Sequence, residues 1–171
     1  LLNIFSHQCL MATKASRVVY AARGDGVMEF GLRRAQGPDA GIYGARAAVI
    51  AGCVGTSNVL AGQMFGIPVL GTHAHSWIMS FKNELDAFRA YAKLYPDACT
   101  LLIDTYDVLR SGVPNAIRAL DTVLKPLGIK KCGIRLDSGD MAYLTKRARK
   151  MLDEAGWTEC TITVSNSLDE R

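Results

Sequence analysis

From residue 67 onward, short apolar runs rich in β-branched residues alternate with longer segments of helical spacing. The runs are 67-IPVLG-71, 99-CTLLID-104, 132-CGIRLD-137 and 160-CTITVS-165. Each of the first three precedes a helical segment: 76-SWIMSFKNELDAFRAYAKLY-95, 114-PNAIRALDTVLKPLG-128 and 140-DMAYLTKRARKMLDEAGW-157. Pro114 at a helix start and Gly128 at its end suit their positions. Proline gives up an N–H that has no partner there, and glycine takes the left-handed turn that closes a helix. In the third segment Met141, Leu144, Ala148, Met151 and Leu152 form one apolar stripe. Strand–helix alternation at roughly thirty-residue spacing implies βαβ units and a parallel sheet.

Upstream the pattern is less regular. Residues 1–23 predict a helix, and 27-VMEFGLR-33 a strand leading into a loop. Pro38 then opens a small-residue helix, 39-DAGIYGARAAVIAG-52. Ser57 is placed to cap 58-NVLAGQMF-65, and Gly66 to end it. No linker or composition shift divides the chain into two domains, and 171 residues suffice for one domain with a real core.

Composition narrows the class. An apolar content of 49% without low-complexity tracts implies a folded, soluble protein. The net charge of +4 is mild and suits phosphorylated, acidic small molecules without requiring them. The densest basic run, 146-KRARK-150, has no interleaved aromatics and reads as a solvated helix face, so nucleic acid is not expected. Five cysteines (Cys9, Cys53, Cys99, Cys132, Cys160) are scattered without a C-x-x-C pair, which predicts reduced core thiols in an intracellular protein. The first seventeen residues lack a basic leader and a cleavage pattern, so a signal peptide is not expected. No apolar run is long enough to cross a bilayer. The missing initiating methionine suggests a segment of something longer.

Polar residues gather where the predicted strands end. They are Thr72, His73 and His75; Asp104, Tyr106 and Asp107; Arg135, Asp137, Ser138 and Asp140; and Ser165 and Asn166. Parallel α/β sheets and barrels place active sites at the carboxyl ends of their strands, so four such clusters in series favour an enzyme.

Three chemistries suit these residues. In 70-LGTHAHSW-77, alternating residues on extended backbone point the same way, so His73 and His75 could share a zinc ion as in a barrel hydrolase; further histidine ligands are lacking. A phosphoryl-accepting histidine needs only one free ring nitrogen and a carboxylate on the other, and Asp104 at the next strand end is placed to supply it. The bland alternative is that both imidazoles are satisfied polar groups at a helix start; His73 fits that description and His75 the functional one. The run 135-RLDSGD-140 offers a guanidinium fork for an anion and two carboxylates for ribose hydroxyls or Mg²⁺. Against this, Asp140 could merely cap the following helix, and Asp137 could be an ordinary turn residue.

The succession 29-EFGLRRAQGPDAG-41, 55-GTSNVLAGQMFGIPVLGTHAHSW-77, 102-LIDTYDVLRSGV-113, 134-IRLDSGD-140 and 164-VSNSLDE-170 resembles the nicotinate phosphoribosyltransferases through nearly the whole chain. The resemblance implies part of an irregular (β/α) barrel of the type II phosphoribosyltransferase kind, with parallel strands alternating with helices. It implies joining of nicotinate to 5-phosphoribosyl 1-diphosphate in NAD salvage, coupled to ATP hydrolysis through a phosphohistidine, with Mg²⁺ taking part. It further implies a cytoplasmic homodimer with shared active sites.

By position, the resemblance makes His75 the phosphorylated histidine and Asp104 its orienting acid. Phe30 would stack on the pyridine ring with Arg33 close by; Thr72 and Arg135 would contact nicotinate; Asp137 and Asp140 would lie by the ribose and the diphosphate–magnesium. No resident protein metal site is expected. Relatives using nicotinamide carry an aspartate where this chain has Ser57. A carboxylate there repels nicotinate while a hydroxyl does not, so Ser57 favours the acid unless it only caps its helix. The resemblance also places most of an amino-terminal domain, the closing barrel strands and the 5-phosphate loop outside these 171 residues, so this chain alone is expected to be inactive. The remaining alternatives are a nicotinamide phosphoribosyltransferase, the zinc hydrolase and an inactive scaffold.

Overall fold

The computed structural model describes residues 1–171, which form two compact units: Leu1–Gly71 with Leu168–Arg171, and Thr72–Ser167. No helix is long and apolar enough to cross a membrane.

The first unit opens with helix α1 (Leu2–Ala21), which packs on helix α2 (Pro38–Ile50). The predicted small-residue character of α2 explains the approach. A Cβ on Gly44 would already touch His7 and Met11 of α1, at 3.4 and 3.6 Å. Ile42 and Ala45 of α2 bury against Ala61 of helix α3 (Val59–Phe65), with Phe65 packed alongside. Strand β1 (Met28–Glu29) pairs in parallel with β2 (Gly55–Thr56). Leu168–Arg171 return to α1, where Glu170 pairs with Lys14 and Arg17.

Here the expected strands are cut short. Residues 27–33 hold only two strand residues before a 3₁₀ turn at Leu32–Arg34. Residues 67–71 make a single parallel bridge between Val69 and Thr56, because Pro68 has no N–H to give to a ladder. The helix cap also differs: Asn58, not Ser57, caps α3, its Oδ1 accepting the Ala61 N–H at 3.1 Å. Gly66 closes α3 in the left-handed region, as expected.

The second unit is built on three parallel strands in the order β3–β4–β5: Thr100–Leu102, Gly133–Leu136 and Thr161–Val164. Their apolar runs fill the core. Leu101, Leu102, Ile103, Ile134 and Leu136 are fully buried. Helices α4 (His75–Met79), α5 (Glu84–Leu94), α6 (Val113–Val123) and α7 (Met141–Glu154) pack around them. The α7 stripe lies where its periodicity places it: Ala148 and Leu152 are buried, and Met141, Leu144 and Met151 pack against the same core.

The segment 76–95 is two helices rather than one. Asn83 is extended (φ −151°, ψ 160°) and its side chain caps α5 by accepting the Asp86 N–H at 2.9 Å. Ser80 returns its hydroxyl to the Trp77 carbonyl. Short polar side chains thus compete with the helix ladder and end it. Before α6 the chain makes a π-helical turn, Val108–Gly112, capped by Asp107. Four cysteines are buried as expected; Cys9, on α1, is exposed.

Candidate active site

The carboxyl ends of β3 and β4 and the start of α4 bring four predicted residues into one hydrogen-bonded set within the second unit. Two residues past β3, Asp104 has a side chain only 1% exposed. Its Oδ1 lies 3.1 Å from Nε2 of His75, the first residue of α4. Its Oδ2 accepts the backbone N–H of Asp137 at 2.9 Å and the hydroxyl of Ser138 at 2.5 Å. A carboxylate taken this far from water needs such donors, because an unpaired buried charge costs several kcal/mol. His75 is 40% exposed, so the pair has a dry acid behind and an accessible imidazole in front.

Arg135 spans the neighbouring strand tips. Its Nη1 donates to Thr72 Oγ1 (2.8 Å), its Nε to Ser165 Oγ (2.9 Å) and its Nη2 to Asp137 Oδ1 (3.1 Å). The planar guanidinium fork makes this possible, and with 14% of its side chain exposed it is held rather than mobile. Asp137 also accepts the Ser165 hydroxyl at 2.6 Å. Burial works against ionisation of this carboxyl, but the Ser165 hydrogen bond and the Arg135 charge outweigh it and hold its pKa below the ordinary value.

The turn after β4 follows from its residues. Gly139 adopts φ +87°, a conformation open to glycine. Asp140 then caps α7, its Oδ1 accepting the Tyr143 N–H at 3.0 Å, while the residue stays exposed. Asp107 is likewise spent on a cap, taking the N–H groups of Leu109 and Arg110.

The two histidines of the opening motif have separate partners. His73 is buried, its Nε2 accepting the Leu102 N–H at 3.2 Å while its ring packs edge-on against Tyr91. Burial holds its pKa down to about 4. This corrects the zinc reading: the lone pair His73 would give a shared ion is engaged by the β3 backbone. His73 is the satisfied structural residue of the two.

Three predicted substrate contacts lie in the first unit. Phe30 is half-buried just after β1, and Arg33 is exposed on the 3₁₀ turn. Ser57 donates its backbone N–H to the Glu29 carbonyl, its side chain released from the capping role that Asn58 fills. Glu29 ties these positions together: Oε1 accepts the Gly31 N–H and Oε2 the Thr56 hydroxyl, both at 2.5 Å. Sequence reasoning missed Glu29, since nothing marks one acid in a short strand. It reached Ser138 and Ser165 only as members of polar strand ends, with no role for either.

The geometry has relatives. Residues 26–170 match the model of the nicotinate phosphoribosyltransferase (NAPRTase) family. The chain is 54% identical to a nicotinate phosphoribosyltransferase of Bacillus subtilis over 99% of its own length and 34% of the relative's. It is 47% identical to one from Mycobacterium tuberculosis, with 99% and 36% covered. Among solved structures, human nicotinic acid phosphoribosyltransferase superposes with a TM-score of 0.86 at 33% identity, over 96% of this chain and 43% of that one. The nicotinate-nucleotide pyrophosphorylase of Pyrococcus furiosus gives 0.83 at 28%, over 96% and 42%. The chain thus spans about a third of the length of these curated relatives. A match across 145 residues, joined to an α/β framework of parallel strands shared with solved members, shows that this chain belongs to the nicotinate phosphoribosyltransferase family.

Proposed function

We propose that this chain carries the phosphoryl-accepting and anion-binding portion of a nicotinate phosphoribosyltransferase with an irregular type II (β/α) barrel. The protein would join nicotinate to 5-phosphoribosyl 1-diphosphate, giving nicotinate mononucleotide and diphosphate, and couple this to ATP hydrolysis. A cytoplasmic setting in NAD salvage and a homodimer belong to the same proposal. The observation that carries it is the 3.1 Å contact between an accessible His75 and the buried carboxylate of Asp104.

A carboxylate accepting from Nε2–H leaves the Nδ1 lone pair of His75 as the nucleophile. Attack of Nδ1 on the γ-phosphorus of ATP forms an N–P bond and breaks the P–O bond to ADP. Asp104 then steadies the cationic ring. The phosphoryl group adds negative charge near the anion-binding residues, which biases diphosphate binding against release and lets hydrolysis reset the site. In the transfer itself the ribose C1–O bond breaks and the pyridine nitrogen bonds to C1. Arg135, fixed by Thr72, Ser165 and Asp137, is a preorganised cation for an anionic substrate group. Phe30, Arg33 and Ser57 are proposed pyridine contacts on the first unit, and Asp137 and Asp140 are proposed to meet ribose hydroxyls and diphosphate.

Mg²⁺ fits this donor set as an ion shared with substrate. No three His, Cys, Asp or Glu side chains form a protein-only cage, but Asp140 is exposed with one oxygen outside its cap. Held there with diphosphate oxygens, the ion would neutralise leaving-group charge.

The test is to incubate the complete gene product with γ-labelled ATP. Acid-labile, base-stable label on the wild type, absent from His75→Ala, is expected. Label that survives the substitution would overturn the assignment.

A further inference from the structure

The orientation of a carboxylate 1% exposed to solvent is decided by its hydrogen bonds rather than by water. Asp104 has a different task for each oxygen. Oδ1 faces His75, while Oδ2 accepts from Asp137 N–H and Ser138 Oγ. Both donors to Oδ2 come from the one turn after β4. Its other side chains are committed elsewhere: the Asp137 carboxylate accepts from Arg135 and Ser165, and Asp140 caps α7. The residue left to grip Asp104 with a side chain is Ser138, whose hydroxyl makes the shorter of the two contacts.

We propose that Ser138 is a positioning residue for the phosphoryl-accepting histidine: its hydroxyl fixes the rotation of Asp104 so that Oδ1 stays aimed at Nε2 of His75. In that arrangement neutral His75 carries its proton on Nε2 and presents Nδ1 to substrate. Without the hydroxyl, Oδ2 keeps only the Asp137 N–H, and either oxygen can turn to that donor. The imidazole is then free to place its proton on Nδ1, which removes the nucleophilic lone pair. The purpose of the device rests on the reading of His75 as the phosphoryl acceptor; its geometry does not.

The experiment uses the 171-residue chain labelled with ¹⁵N, with long-range proton–nitrogen correlations of its three histidines recorded above neutral pH. The wild-type chain is expected to show His75 in the Nε2–H form. Ser138→Ala should raise the Nδ1–H population of His75 severalfold and leave His7 and His73 unchanged. Ser138→Thr, which keeps a hydroxyl, should retain the wild-type form. An alanine variant with the wild-type tautomer, or a threonine variant that behaves like alanine, overturns the proposal. So does an alanine chain that loses its dispersed amide spectrum, since the role would then be structural. Because no substrate is present, failure of the ATP-labelling test would sink the function and leave this result standing.

Discussion

Gly112 presses so closely on the carbonyl of Ile103 that a Cβ on it would fall 1.9 Å from that oxygen. The glycine closes the π-helical turn, and Ile103 immediately precedes Asp104. The backbone is in the ordinary helical region (φ −56°), so space, not conformational freedom, requires glycine here.

Gly112→Ala must therefore push the turn off the β3 tip. Overpacking against backbone costs about 3 kcal/mol where neighbours cannot yield. Urea unfolding of the 171-residue chain should show a loss of that size. A change under about 0.5 kcal/mol would mean that the turn moves freely and does not set the position of Asp104.

His73 makes the second unit sensitive to acid. Its imidazole titrates at about 4 when folded, against about 6.5 in an unfolded chain. Above pH ~6.5 it is neutral in both states and its full contribution is present. Between there and pH ~4 the unfolded chain binds the proton first, so stability falls as pH falls, by on the order of 3 kcal/mol. His73→Gln, whose amide oxygen can accept the Leu102 N–H, should flatten this part of the stability–pH curve. Parallel curves for the two proteins would refute the assignment.

Ser57 offers a test of substrate choice. Its side chain does not cap α3, because Asn58 does. If Ser57 meets the pyridine as proposed, a carboxylate at this position places like charge against the acid substrate, worth several kcal/mol, and gives an amide a partner. In the complete gene product, Ser57→Asp should lower kcat/KM for nicotinate at least roughly tenfold and raise it for nicotinamide. Unchanged selectivity would remove Ser57 from the proposed pyridine contacts.

Much of the second unit was legible because its signals are local. Apolar runs named the three strands of its sheet, the α7 stripe named a buried face, and strand-end polarity named His75, Asp104, Arg135 and Asp137 as a group. The split of 76–95 was not legible, because Asn83 and Ser80 are unremarkable until their side chains are seen bonding to backbone. The cap of α3 shifted by one residue because both Ser57 and Asn58 are good cappers and periodicity cannot choose between them. The roles of Ser138 and Glu29 escaped for a different reason. Their roles lie in which oxygen each bond reaches, and spacing carries no trace of that.

Arg135 supplies the last prediction, because its shape matters as much as its charge. Lysine keeps the positive charge but not the planar fork, and a single ammonium cannot reproduce donation to Thr72, Ser165 and Asp137 in three directions. Arg135→Lys should therefore release part of the grip on Asp137, whose carboxyl is held below its ordinary pKa against burial by Ser165 and Arg135 together. Carbon-13 NMR of the Asp137 carboxyl should show its titration moving to higher pH in Arg135→Lys, and further in Arg135→Ala. The sign follows from linkage: losing a donor and weakening a nearby cation both favour the protonated acid. An Asp137 titration that stays in place in both variants would mean that Ser165 alone sets it and that the guanidinium is not the organising cation of these strand tips.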